Sequence, residues 1–363
     1  MLSIIVPTYR EAENIHPLVQ RIRAALDAAG GYEIVFVDDN SNDGTEEKVE
    51  EVRQAGAPVR LIVRKDERGL SSAIFRGFHE AGGDLLLCMD ADMSHPPESI
   101  PMMLQTLEQE KADLVVGSRY VRGGGIEKGW GAYRWLNSQV ALWLARPLSK
   151  VRDSGAGFFL LPRRVFEEGR NFNPIGYKAL LEISVKCPCR KVVEVPIQFA
   201  DRKFGESKLN LREQILYLLH LKRLYDYRFP RATFTVQFVA IGVTGSVLNL
   251  LVLALMLKVG LPFWLAYALA IVAALVWGYW LNRWLTFDLM TKHPVLSQSL
   301  RYGAMCLPGV MVNWLLAVGL ASQVAWFGGH PFLAALAGMA AGGTINFLIL
   351  AAKTFQIVPA PAN

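Results

Sequence analysis

Two hydrophobic rhythms divide the chain near residue 230. Before that point, short apolar runs alternate with charged stretches of helical period; beyond Thr233, charges become scarce and long apolar spans take over. The short runs predict strands at Ser3–Val6, Glu33–Val37, Leu61–Val63, Leu85–Met89, Leu114–Val116 and Val192–Val195, with helices over about Asn14–Ala29 and Ser71–Ala81. Strand and helix in alternation predict a doubly wound α/β domain that binds ligands at the carboxyl ends of its strands. From Leu209 to Tyr227, Leu211, Ile215, Leu218, Leu219 and Leu224 recur at helical spacing beside Arg212, Lys222 and Arg223. Such a helix could pack on the soluble core, but placed just before the first long span the pattern favours an interfacial helix lying on a bilayer, and Tyr133 through Leu148 has similar character. Four spans follow at about 234–257, 263–285, 300–323 and 331–353, each near the roughly 20 residues that cross a hydrocarbon core.

Charge orients those spans. Lys222, Arg223, Arg228 and Arg231 precede the first, and Arg283, Lys292 and Arg301 cluster between the second and third, whereas the last connection has neither Lys nor Arg. The positive-inside rule then predicts an integral protein of the cell (plasma or inner) membrane with both termini cytoplasmic. Met1 to Pro7 reads as a first strand, not a signal peptide, which places the N-terminal domain on the same side. The 363 residues are 52% hydrophobic with a formal net charge of +6, but no compact arginine-rich or zinc-finger pattern points to nucleic acid. A basic balance also suits anionic lipids and phosphorylated substrates. Cys88, Cys187, Cys189 and Cys306 have no disulfide-framework spacing, and Cys187-Pro188-Cys189 is one residue short of a redox or zinc pair. Asn249, Asn313 and Asn346 fall inside apolar spans, where bonding helix to helix is the first expectation.

Chemistry collects at the strand ends. The run Asp84-Leu85-Leu86-Leu87-Cys88 stops at Met89-Asp90-Ala91-Asp92. An Asp-x-Asp step is weak evidence alone, since a strand ending in solvent carries it harmlessly. At the carboxyl edge of a parallel sheet, however, it seats a hard divalent cation bridging a diphosphate. The first strand ends in Pro7-Thr8-Tyr9-Arg10-Glu11, offering a ring and an acid. The second ends in Val37-Asp38-Asp39-Asn40-Ser41-Asn42-Asp43-Gly44-Thr45, where a plain Asx turn and helix cap through Asp43 or Thr45 competes with contacts to a base and ribose. Neither strand is followed by a Gly-x-Gly-x-x-Gly or P-loop pattern, which disfavours dinucleotide enzymes and P-loop NTPases.

These three segments, with Met93-Ser94-His95-Pro96-Pro97 completing the third, resemble the inverting family-two glycosyltransferases of GT-A fold, and more narrowly the dolichol-phosphate (polyprenyl-phosphate) mannose synthases. Gly117-Ser118-Arg119-Tyr120, Gly157-Phe158-Phe159, Gly176-Tyr177-Lys178 and Phe199 through Lys208 extend the likeness in order across the soluble half. The resemblance implies that Pro7, Tyr9, Glu11, Val37, Asp39, Asp90, Ala91 and Asp92 hold a nucleotide sugar, GDP-mannose being favoured. It implies Asp90 and Asp92 as ligands of Mg2+ or Mn2+. Arg119, Lys178, Arg202 and Lys208 would gather around phosphates, with Asp92, Arg119 and Arg202 as catalytic residues. Arg134 and Ser138 would join Arg119 and Arg202 on the phosphate of a polyprenyl or dolichyl acceptor. Two positions depart from the pattern: Ser94 stands where some relatives place a metal-assisting Gln, and Ala156 replaces a hydroxyl residue before Gly-Phe-Phe, with Asp153 nearby. The second half resembles GtrA-like membrane domains through Phe238-Val239-Ala240-Ile241-Gly242 and Asn282-Arg283-Trp284-Leu285-Thr286-Phe287.

Independently of the family, cleaving a sugar–phosphate bond leaves charge on a nucleoside diphosphate, which a cation and basic groups stabilise. An acceptor phosphate is already a nucleophile, so guanidinium and ammonium groups matter more than a strong base. His95, before Pro96-Pro97, reads as a shaping residue. The expectation is thus an α/β GT-A domain over 1–205, an amphipathic linker over 206–230 and a four-helix membrane domain over 231–363. It would transfer a hexose from a nucleotide donor to a polyprenyl phosphate. UDP-glucose with undecaprenyl phosphate uses the same motifs and stays open. A processive synthase is disfavoured by the absence of Gln-x-x-Arg-Trp, and a lipid transporter that only binds nucleotide sugar is the rival from another class.

Overall fold

The computed structural model describes residues 1–26, 31–126, 132–173, 175–200, 211–285 and 295–357. Two compact units divide it, Met1–Tyr225 and Asp226–Asn363. In the first, β1 (Leu2–Thr8), β2 (Tyr32–Asp38), β3 (Val59–Val63), β4 (Leu85–Cys88), β5 (Leu114–Ser118), β7 (Phe159–Pro162) and β8 (Val192–Pro196) form one sheet in the order β3-β2-β1-β4-β7-β5-β8. A small second sheet pairs β6 (Gly125–Ile126) with β9 (Gln198–Phe199). Helices α1 (Ala12–Leu26), α2 (Thr45–Gln54), α3 (Leu70–Glu80), α4 (Ile100–Gln109), α5 (Ala132–Ala145), α6 (Arg163–Glu167), α7 (Ala179–Lys186) and α8 (Leu211–Arg228) fill the connections.

Every residue of β1 is buried, because it pairs in parallel with β2 on one side and β4 on the other while helices cover both faces. The continuous run Leu-Ser-Ile-Ile-Val is what such a position demands. One set of side chains, including Ile4, Val6, Ile34, Phe36 and Leu87, packs on α1 and α4; the alternate set, including Ile5, Val35, Val37 and Leu86, packs on α3 and α7.

Three strands were not foreseen, the two-residue β6 and β9 and the longer β7. β7 runs antiparallel between β4 and β5, so its first residue, Phe159, pairs with Cys88 and Val116. The four-residue run Phe-Leu-Leu-Pro has no alternation and is too short for period alone to assign. Its reversed direction brings the preceding turn, residues 153–157, to the carboxyl edge of β4 and β5.

Most of α8 belongs to the α/β unit, a difference from the linker drawn at 206–230. Tyr217, Leu221 and Leu224 pack with Ala145 at the end of α5, with Leu148 just beyond it and with Leu181 of α7. The Tyr217 hydroxyl donates to the Ala141 carbonyl at 2.6 Å, and the Tyr225 hydroxyl to that of Leu144 at 2.8 Å. On the outer faces, Trp135, Leu136, Val140 and Trp143 of α5 and Ile215, Leu218 and Leu219 of α8 stay exposed.

The second unit comprises α9 (Pro230–Lys258), α10 (Phe263–Leu285), α11 (Val295–Gln323), the short α12 (Ala325–Gly328) and α13 (Pro331–Ile357). Four of these are long and apolar enough to cross a membrane. The first and third start some residues earlier than the hydropathy pattern suggested, because their opening turns are polar but still helical. Asn313 does join helices: the Tyr267 hydroxyl lies 2.6 Å from its Oδ1 and 2.9 Å from the Ala335 carbonyl.

Candidate active site

Two tight loops build one half of the carboxyl edge. Asp38, at the end of β2, accepts from the Thr8 hydroxyl at 3.0 Å and from the backbone amide and hydroxyl of Ser41. Ser41 Oγ in turn accepts the Arg10 amide at 2.9 Å, and Asp43 accepts the Ala12 amide at 3.2 Å. Arg10, Asn40 and Asn42 all have positive φ, a conformation Asn tolerates and Arg adopts only where neighbours hold it. Tyr9 emerges from this knot with Arg10 5.3 Å and Arg68 5.4 Å from its ring centroid. Glu11 accepts from Asn14 Nδ2 at 2.6 Å. Pro7 and Val37 are buried, with the Val37 side chain in the sheet core, and Ala91 is likewise buried.

Asp39, expected to hold the nucleotide, has a carboxylate already engaged within the protein. Its Oδ1 accepts from Arg64 Nε at 2.7 Å and from Arg64 Nη2, and its Oδ2 from the Gly69 amide at 2.7 Å. Arg64 also reaches the Ser72 hydroxyl at 2.8 Å and the Gly69 carbonyl at 2.9 Å. This buried fork braces the start of α3 under the Tyr9 side of the edge. Arg64 was missed because a charge one residue beyond a strand ordinarily reads as solvated.

Asp90 and Asp92 close β4. The Asp92 Oδ1 accepts from the amide and hydroxyl of Ser94 in a self-contained turn around Met93, whose φ is 66°. Ser94 therefore serves the carboxylate and does not reach outward from it. The Asp90 amide donates to His95 Nδ1 at 3.0 Å, which requires that nitrogen to be unprotonated. His95 is buried, stacked on Phe158 at 5.3 Å and edge-on to Phe199 at 5.5 Å. It shapes the acidic turn, as its place before two prolines suggested.

The turn before β7 joins this acidic corner to a basic one. A Cβ at Gly157 would stand 3.0 Å from the Asp90 carboxylate, and one at Gly155 only 2.3 Å from Lys178 Nζ. Two residues earlier, buried Asp153 accepts from the amide, Nε and Nη2 of Arg119 at 3.1, 2.8 and 2.7 Å. Burial works against the charge on Arg119, but Asp153 outweighs it and holds the guanidinium pKa above its ordinary value. Lys178 has the opposite balance: burial, reinforced by the Arg119 charge, lowers its ammonium to about 8. Next along the chain, the Tyr120 hydroxyl lies 3.0 Å from that of Ser138 on α5, tying that helix to the same corner. Arg134 is one turn earlier on α5, but its side chain is outside the described residues, as are Arg202 and Lys208 entirely.

The donor set fits a divalent cation. Two hard carboxylates stand one residue apart, and Asp90 keeps 28% of its side chain exposed. Among the described residues no group of three His, Cys, Asp or Glu forms a closed cage. A cation held by two protein carboxylates takes its remaining oxygens from water and substrate phosphates, the usual habit of Mg2+ at phosphate sites.

A Rossmann-like sheet with an acidic turn, a facing Arg/Lys pair and a following set of apolar helices defines a GT-A glycosyltransferase attached to a membrane domain. Residues 3–170 match glycosyl transferase family 2, and residues 237–355 match the GtrA/DPMS transmembrane domain. A dolichol-phosphate mannosyltransferase of Pyrococcus furiosus is 38% identical over 352 residues, covering 96% of this chain and 97% of that protein. One from Saccharomyces cerevisiae is 44% identical over 236 residues, 62% of this chain and 88% of the yeast protein. The chain belongs to the dolichol-phosphate mannosyltransferase family. Among solved structures, glucosyl-3-phosphoglycerate synthase from Mycobacterium tuberculosis aligns with a TM-score of 0.47 at 17% identity, over 63% of this chain and 79% of that one.

Proposed function

We propose that the chain transfers mannose from GDP-mannose to a dolichyl or other polyprenyl phosphate with inversion at the anomeric carbon. The observation that carries this reading is the turn at 153–157, which sets an acidic corner, Asp90 and Asp92, against a basic one, Arg119 and Lys178. A nucleoside diphosphate and an acceptor phosphate are the ligands that need both. The nucleotide lies toward Tyr9 and Glu11, with Arg202 and Lys208 as further phosphate contacts. An oxygen of the acceptor phosphate attacks C1 of the sugar; the C1–O bond to the β-phosphate breaks, and its electron pair leaves on GDP. No proton has to be removed from the nucleophile, so the site has no need of a strong base. Arg119, with Arg134, Ser138 and Arg202, draws the acceptor anion in, while Lys178 faces the donor. Asp90 and Asp92 would hold a Mg2+ or Mn2+ ion, which when bound would neutralise charge on the leaving diphosphate. The exposed apolar faces of α5 and α8 lie in the bilayer surface, and the termini and catalytic unit are cytoplasmic.

The test is transfer of radiolabelled sugar into extracted lipid by membranes carrying the protein, with GDP-mannose and UDP-glucose in parallel and the cation varied. Cation-dependent labelling from GDP-mannose is expected. Labelling from UDP-glucose alone would keep the chemistry and overturn the donor; no labelling from either would overturn the reading. Asp92→Asn is expected to lower transfer at least 100-fold with the fold retained. The amide oxygen of Asn can still accept the Ser94 bonds, and only the charge is lost.

A further inference from the structure

We infer that Asp153 is a positioning residue for the transfer, holding the Arg119 guanidinium in the one orientation that brings two phosphates together. This deepens the function proposed above and rests on it. Asp153 is fully buried, yet it lies on a turn with no regular structure of its own. Three of its contacts go to Arg119: the amide at 3.1 Å, Nε at 2.8 Å and Nη2 at 2.7 Å. That pairing fixes both the backbone at the end of β5 and the plane of the fork. Rings flank the guanidinium, with Phe199 5.1 Å and Tyr120 5.4 Å from its central carbon, so rotation of the side chain is also opposed.

Asp153 is itself held from the far side. Glu194 of β8 accepts the amides of Arg152 and Asp153 at 2.9 and 3.1 Å, and the Asp153 carbonyl accepts the Ala156 amide at 3.0 Å. A rigid support of this kind goes beyond what neutralising one arginine requires. Buried ion pairs are also weak stabilisers, since desolvation offsets most of their attraction. Geometry, however, is worth a great deal where two anions must meet, and a displacement of about 1 Å costs on the order of 100-fold in rate. The same turn keeps Gly155 against Lys178 and Gly157 against Asp90, so movement of Asp153 is felt at the reacting centre.

The experiment is steady-state transfer in membranes by Asp153→Asn, Arg119→Ala and the double variant. Asp153→Asn is expected to lower kcat about 10- to 100-fold while the donor KM stays within about threefold. In the Arg119→Ala background it should add less than about threefold, because its effect passes through Arg119. Wild-type kcat in Asp153→Asn, or an equal loss in both backgrounds, would overturn the inference. Should Asp153→Asn fail to fold, Arg119→Lys decides. Lysine keeps the charge but cannot offer the fork, so its kcat should fall to that of Arg119→Ala; near wild-type kcat would sink the idea. Absence of transfer by the wild type would instead count against the proposed function itself.

Discussion

Lys178 shows how burial tunes one residue of the proposed phosphate site. Its ammonium stands over the Tyr177 ring at 4.8 Å, close against Gly155. Burial first, and the Arg119 charge second, make the protonated form costly, and the pKa falls to about 8. A bound diphosphate reverses that cost, because it supplies the missing counter-charge. Free protein therefore offers a charged Lys178 below about pH 8 and loses it above. The expected consequence is a fall in kcat/KM for the donor above about pH 8, approaching tenfold per pH unit, with kcat flatter because the bound donor raises the pKa. Lys178→Arg, charged throughout, should remove that limb. Profiles of kcat/KM from pH 6 to 10 check it, and a wild-type limb surviving unchanged in Lys178→Arg would assign the titration elsewhere.

At the scale of elements, α8 meets α7 at a buried polar junction around Glu182. Glu182 accepts from Lys186 Nζ at 2.7 Å and from the Asn173 amide at 2.6 Å, and His220 Nε2 of α8 stands 3.3 Å from its second oxygen. Burial opposes the charge on Glu182, but His220, Lys186 and the Asn173 amide together hold its pKa below the ordinary 4.5. A carboxylate with a depressed folded pKa stabilises fully above its unfolded value and loses that contribution as pH falls through the folded one. Amide hydrogen exchange in residues 211–225 should therefore stay slow near pH 6 and accelerate below about 4.5, after correction for intrinsic rates. Glu182→Gln should expose the same amides at pH 6, by about 3–5 kcal/mol for breaking a buried pair, and show little further change in acid. Equal protection in both proteins at both pH values would exclude the junction as the anchor. The helix itself was legible in the spacing of Leu211, Ile215, Leu218 and Leu224, and so were the six strands read from apolar runs. The anchor was not, because Glu182 and His220 are 38 positions apart in sequence, and nothing local marks either as buried. The antiparallel β7 escaped for a related reason. Its direction is fixed by pairing with β4 and β5, not by its own four residues, and with it went the turn that organises the site. What could be read were the residues whose chemistry is unusual for their position, such as Asp90 and Asp92 after an apolar run. Arg64 and Asp153 could not be read this way, since a lone charge at a strand end or in a turn ordinarily means solvent.

Across the whole molecule, topology follows from where charge is permitted. Lys258 closes α9, the four residues to Phe263 carry no charge, and the stretch between α11 and α13 has His330 as its one titratable group. Arg283, Lys292 and Arg301 crowd the opposite ends, between α10 and α11. Moving those cations across a bilayer is far costlier than moving the neutral turns, which is the argument for the proposed orientation, with the α10–α11 side on the cytoplasmic face and the other two connections outward. Under that proposal the lipid phosphate and the nucleotide donor would meet on the cytoplasmic side, with the exposed Trp143, Leu218 and Leu219 as candidate surface anchors. In a background with the four native cysteines replaced, Gly329→Cys should react with a membrane-impermeant maleimide added to intact cells. Ser297→Cys should react only after the membrane is opened. The reverse pattern would invert the orientation and leave the charged side of the spans outside, where a cytoplasmic nucleotide sugar does not reach the site.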